Sequence, residues 1–144
     1  MDIEILTATI ATIVAIITFG QWLTNRNQLK YNLFTLRYSI YEKISGFLAE
    51  ILINGTVKPG SDIDFLRDTK NAYFLFSGDI AVTNLVKDIY KKAIDLHSLE
   101  ATEKSLRSEE LNKNLDQQAK IKEWMQQTLS NMEKTFEKHL LLKH

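Results

Sequence analysis

Cysteine is absent from this 144-residue chain, so it has no disulfide, no thiolate nucleophile and no cysteine-based metal site. Proline occurs once, at Pro59, and glycine only five times, which leaves few places where a helix must stop. Histidine occurs three times, and His97, His139 and His144 form no His-Glu-x-x-His or Glu-x-x-His pair. No arginine precedes a histidine at the spacing of the HEPN ribonucleases, and no glycine-rich phosphate loop is present. Charge of one sign is missing too, because 18 basic side chains balance 18 acidic ones. A nucleic-acid surface needs a strongly basic stripe, so none is expected. Neither a catalytic constellation nor a cofactor or metal site emerges, and no enzyme activity is expected.

What is present is a run of 21 residues, Ile5 to Asn25, without a single charge. As a helix it rises about 31 Å, the hydrocarbon thickness of a bilayer. The expectation is a transmembrane anchor over residues 1–25, with residues 26–144 forming one further domain. Arg26, Lys30, Arg37 and Lys43 follow the run, whereas Asp2 and Glu4 precede it. By the positive-inside rule the later domain faces the cytoplasm. Trp22, Arg26 and Lys30 sit where a membrane interface is expected, the indole at headgroup level. A cleaved signal peptide competes with this reading, but it requires a positive start and a small-residue cleavage site, and neither is found. A buried helix of a soluble protein is the other competitor.

At 100° per residue, Thr7, Ala8, Ala11, Thr12, Ala15 and Thr18 share one arc of the anchor, and Leu6, Ile10, Ile13, Val14 and Ile17 share another. Small residues with hydroxyls are what close helix packing in lipid uses, so self-association is expected through the first arc. A tolerated composition without contact is the alternative.

The residues after Asn25 carry 18 basic against 16 acidic side chains and are enough to bury one core. The first helix is expected to continue to about Ile53, with Leu29, Leu33, Leu36, Ile40, Ile44, Phe47 and Ile51 as its apolar stripe. Asn54-Gly55 and Lys58-Pro59-Gly60 then turn the chain. Ser61 is the expected cap of a second helix running through Tyr73, and Phe74-Leu75-Phe76 the expected plug of the core. Asp79 restarts the chain into a helix reaching about Leu106, with Ile80 on its apolar face. Ser108 is the expected cap of the last helix, whose buried side includes Leu115, Ile121, Met125, Met132 and Phe136. The fold class is all-α: an N-terminal transmembrane helix continuous with a cytoplasmic antiparallel helical bundle.

Gln21-Trp22, Leu33-Phe34-x-x-Arg37-Tyr38-x-x-Tyr41 and Phe74-Leu75-Phe76 behind an N-terminal anchor make the chain resemble small uncharacterised bacterial single-pass membrane-anchored helical proteins. The resemblance covers nearly the whole chain. It implies a bacterial inner-membrane location and supplies no activity.

Two clusters merit weighing. Lys87, Lys91 and Lys92, with Lys104 and Arg107, could present a basic patch to lipid headgroups or an anionic ligand, but Asp88 and Asp95 interleave with them, the pattern of a solvated helix face. Arg37, Tyr38 and Tyr41 form a candidate contact for a partner or an anion, or else a bundle wall whose polar tips reach water. The reading of the whole is a membrane-tethered helical interaction or sensor module. Its expected partners are the lipid bilayer, further copies of itself, and an unidentified protein or small molecule. The alternative is a membrane-damaging effector of a stress or phage-defence pathway, triggered through the cytoplasmic domain.

Overall fold

A computed structural model describes residues 3–141, and every regular element among them is helical. Five helices follow one another: α1 (Ile3–Asn54), α2 (Ser61–Thr69), α3 (Ala72–Leu75), α4 (Ile80–Glu103) and α5 (Ser108–Leu140). The expected second helix is thus two, interrupted at Lys70 and Asn71, and α4 stops short of Leu106.

The length of α1 follows from the lack of breakers, since Gly20 and Gly46 are its only glycines and it contains no proline. It ends where the sequence says it should. Gly55 adopts φ +72°, a left-handed conformation that costs glycine nothing, and its N–H donates to the Ile51 carbonyl at 2.8 Å.

The chain divides into two compact units, residues 1–35 and 36–144. In the first, every side chain from residue 3 to residue 33 is exposed. One helix here is long and apolar enough to cross a membrane.

In the second unit, Ile40, Ile44, Phe47, Leu48 and Ile51 line one side of α1 at steps of three and four, and all are buried. The expected stripe therefore becomes core only from Ile40 onward, because Leu29, Leu33 and Leu36 remain exposed. Phe47 stacks on Phe65 of α2 with centroids 4.5 Å apart. Val82, Ile89, Ala93 and Leu96 of α4 and Ile121, Met125, Met132 and Phe136 of α5 supply most of the remaining core. The α4 helix packs on α5 and also meets α2 and α3.

Several local expectations are corrected. Ser61 is the first helical residue and not the cap; that place is taken by Gly60 at φ +83°, and the Ser61 hydroxyl donates to the Lys58 carbonyl at 2.8 Å. Ser108 likewise opens α5 behind Arg107 and makes no cap bond. Of Phe74-Leu75-Phe76 only Phe76 is buried; a helical turn that points Ala72 and Phe76 inward must point Phe74 outward. Ile80 and Leu115 are exposed as well. In α5 the interior positions before Ile121 belong to Asn114 and Gln118, which places Leu115 on the outer side.

Candidate functional site

One set of polar groups in the second unit converges around Asp79. As N-cap of α4, its Oδ1 accepts the Ala81 N–H at 2.9 Å. Its Oδ2 meets Nζ of Lys138 and Nε2 of His139, each at 2.7 Å. An ionised carboxylate only accepts, so His139 carries its proton on Nε2. The Lys138 ammonium and the His139 ring, aided by the Ala81 N–H, hold the Asp79 carboxyl well below the usual carboxylate range. Burial pushes the other way and loses.

Arg37 completes the cluster from α1. Its Nε donates to the Leu75 carbonyl at 2.8 Å and its Nη1 reaches the His139 carbonyl at 3.4 Å. The guanidinium also lies 5.9 Å from the Phe76 ring centroid, and Phe76 meets His139 and Phe136 edge to face at 5.0 and 5.2 Å. Arg37 thus satisfies carbonyls at the ends of α3 and α5, where helix backbones leave acceptors without intrahelical partners. Chemically the cluster is a clamp. Oδ2 of Asp79 ties the turn before α4 to the end of α5 while Oδ1 caps α4, and two edges of the guanidinium join α1 to the ends of α3 and α5.

Beside it runs a groove of about 550 Å³ lined by Tyr38, Tyr41, Glu133, Lys134, Glu137 and Leu140. Tyr38 and Tyr41 stack at 5.9 Å, and Tyr41 meets Phe136 edge to face at 5.5 Å. Burial pushes the Tyr41 hydroxyl pKa up, with the Glu133 charge and Tyr38 adding to it. Of the three residues expected to act together, Arg37 therefore faces the clamp, while Tyr38 and Tyr41 face the groove.

The membrane-helix residues Thr7, Ala8, Ala11, Thr12, Ala15 and Thr18 are all exposed. Thr7, Thr12 and Thr18 donate their hydroxyls to the carbonyls of Ile3, Ala8 and Val14 at 2.8 Å, so each proton is satisfied within the helix. Trp22 stacks with Phe19 at 5.9 Å, the Arg26 guanidinium carbon lies 5.5 Å from its ring centroid, and Lys30 is exposed. His97, Lys87 and Lys91 point to solvent, and His144 lies outside the described residues.

Two arrangements escaped the sequence. The Asp79–His139 contact joins residues 60 apart, and only the cap half of it had a local signal. Asn114 and Gln118 form the other: Asn114 donates to the Leu99 carbonyl at 3.0 Å, and Gln118 bridges Asn114 Oδ1 and Glu103. Among the described residues no group of three His, Cys, Asp or Glu is arranged to hold a metal ion. Comparison of the chain with protein-family models, curated proteins and solved structures finds no match in any of the three.

Proposed function

We propose that this chain is a membrane-tethered helical interaction or sensor module that works by self-association and by recruiting a protein or small molecule. The observation that carries the reading is the uncharged stretch Ile5 to Asn25, which lies in a helix long enough to span a bilayer and buries none of its side chains. A soluble core helix hides such a surface; lipid is the solvent that accepts it all round.

Residues 26–144 lie on the cytoplasmic side of a bacterial inner membrane, because the basic side chains cluster after the stretch and acidic ones precede it. There α1, α4 and α5, with α2 as a short partner, close as an antiparallel bundle around Phe76, Phe136 and Ile44. The groove beside Tyr38 and Tyr41 is the place for a partner, since it combines apolar floor, two phenols and charges of both signs. The Thr7 to Thr18 arc carries the contact between copies.

Alkaline extraction followed by cross-linking in native membranes tests this. The expected result is a chain that stays in the pellet at alkaline pH and cross-links to itself. Release into the supernatant overturns the tether, and an anchored chain that never cross-links overturns the self-association. Membrane depolarisation on expression, abolished by changes to the Thr7 to Thr18 arc, would replace the recruiting role with that of a membrane-damaging effector.

A further inference from the structure

The groove between α1 and α5 has a chemistry that selects among partners. It lies wholly within the second unit and, at about 550 Å³, has the size of a small-molecule site. Tyr38 and Tyr41 stand about one turn apart on α1, and Glu133 and Glu137 stand about one turn apart on α5. Four residues of helix rise about 6 Å, so the two carboxylates follow one another along the groove. Both glutamates are exposed.

The charge of the groove is not neutralised from within. Among the described residues no ion pair includes Glu133, Lys134 or Glu137, so two carboxylates stand against one ammonium. After burial, the Glu133 charge is the largest cause of the raised Tyr41 hydroxyl pKa, the mark of a negative potential at the phenol. A cation is the complement of such a surface. The rings say which kind. Tyr38 and Tyr41 stack at 5.9 Å with their planes 23° apart, and Tyr41 meets Phe136 edge to face, so the phenols form one shelf and not the separate walls of a cage. A compact quaternary ammonium needs ring faces around it, whereas a shelf suits a chain laid along it. Leu140 extends the apolar surface beyond the rings. A linear aliphatic polyamine has both parts, methylenes for the shelf and ammonium groups for the carboxylates.

We propose that this groove binds a linear aliphatic polyamine, with ammonium groups on Glu133 and Glu137 and the methylenes between them on Tyr38, Tyr41 and Leu140. This rests on the groove being the place for a partner, and it names the class of that partner. Lys134 lines the same groove and opposes the ligand's charge.

Calorimetric titration of the full-length chain with spermidine, in an uncharged detergent at low salt, tests the proposal. The expected result is saturable binding at one site. Glu133→Gln and Glu137→Gln should each weaken it about two- to fivefold, the range of an exposed ion pair, and Tyr38→Leu by a similar factor through loss of the ring face. Lys134→Gln should tighten binding, a gain that a misfolded chain does not show. Asp88→Asn removes an exposed carboxylate of α4 outside the groove and should change nothing. Equal weakening by D88N and E137Q would reduce the effect to diffuse attraction and overturn the site. Choline and an arginine-rich peptide serve as further titrants. If spermidine fails to bind while one of these binds and is weakened by E137Q, the groove still takes a partner and only the polyamine falls. If no titrant responds to the groove variants, the polyamine and the reading of the groove as a partner site fall together.

Discussion

Residues 5–25 and residues 36–54 both lie within α1, both are rich in Ile and Leu, and yet the first buries nothing while the second buries five side chains. The difference lies in where the polar residues fall: the earlier stretch has no charged side chain, and the later one has four set at a helical period. In the later stretch apolar residues recur at steps of three and four, with Glu42, Lys43 and Glu50 on the other side, so one face is solvated and the other meets Phe65, Phe76 and Phe136. In the earlier stretch no charged face exists at all. A helix apolar all round must find an apolar solvent, whereas a helix apolar on one side need only find a neighbour.

The sharpest way to break the comparison is to make one substitution in both regions. Phe136 is fully buried and Phe19 is 62% exposed. Phe136→Ala should cost about 3–5 kcal/mol of unfolding free energy by cavity formation. Phe19→Ala should leave unfolding of the helical domain within about 0.5 kcal/mol of the parent. Denaturant melts of the two variants in detergent measure both values, and equal losses would mean that Phe19 supports the helical domain beyond its stacking on Trp22.

The converse substitution probes the earlier stretch. Ile13→Arg places a charge at the middle of the run and should disfavour insertion by about 2.5–3.5 kcal/mol. The expected outcome is a larger share of alkali-extractable chain with an unchanged melt of residues 36–141. An arginine tolerated in the pellet would deny that this stretch dissolves in lipid.

Within the second region, Asp79→Ala should lower stability by about 1–2 kcal/mol, the usual loss for an N-cap aspartate. The pH dependence has a fixed sign. Because the folded carboxyl is held below its unfolded value, its contribution is complete above about pH 5 and declines as pH falls past the unfolded value near 3.9. Parent and D79A melts should therefore differ at neutral pH and converge in acid. The same variants have no bearing on residues 3–33.

How much of this was legible follows the range of each interaction. The end of α1, the glycine turn at Gly55 and the place of Asp79 at the start of α4 depend on a few consecutive residues, and the sequence exposes them. Ser61 and Ser108 failed as caps for an equally local reason, since Gly60 and Arg107 take the preceding position and leave the serines inside the helix. The clamp was invisible because Arg37, Asp79 and His139 come from three distant elements. The inner side of α5 was misread at Leu115 because hydrophobicity alone picks Leu over Asn. Asn114 is nonetheless accommodated inside, with the Leu99 carbonyl, Thr102 Oγ1 and Gln118 as partners. A polar residue with every group satisfied competes with leucine for an interior position.

The smallest effect belongs to the threonines of the first region, and it separates two causes of self-association. Thr12 donates its hydroxyl to the Ala8 carbonyl at 2.8 Å, so the proton has no need of a neighbouring helix and only the oxygen lone pairs remain for one. Thr12→Val keeps the shape and removes the hydroxyl. If copies associate by close packing of small side chains, T12V should weaken dimerisation by less than about 0.6 kcal/mol, since it does not even lose an average interhelical hydrogen bond in a membrane. Ala11→Leu, which fills the same arc without touching any hydrogen bond, should then weaken it more. Energy transfer between labelled chains in micelles compares the two variants; a larger loss for T12V than for A11L would assign the contact to hydrogen bonding across helices and not to close approach of their backbones.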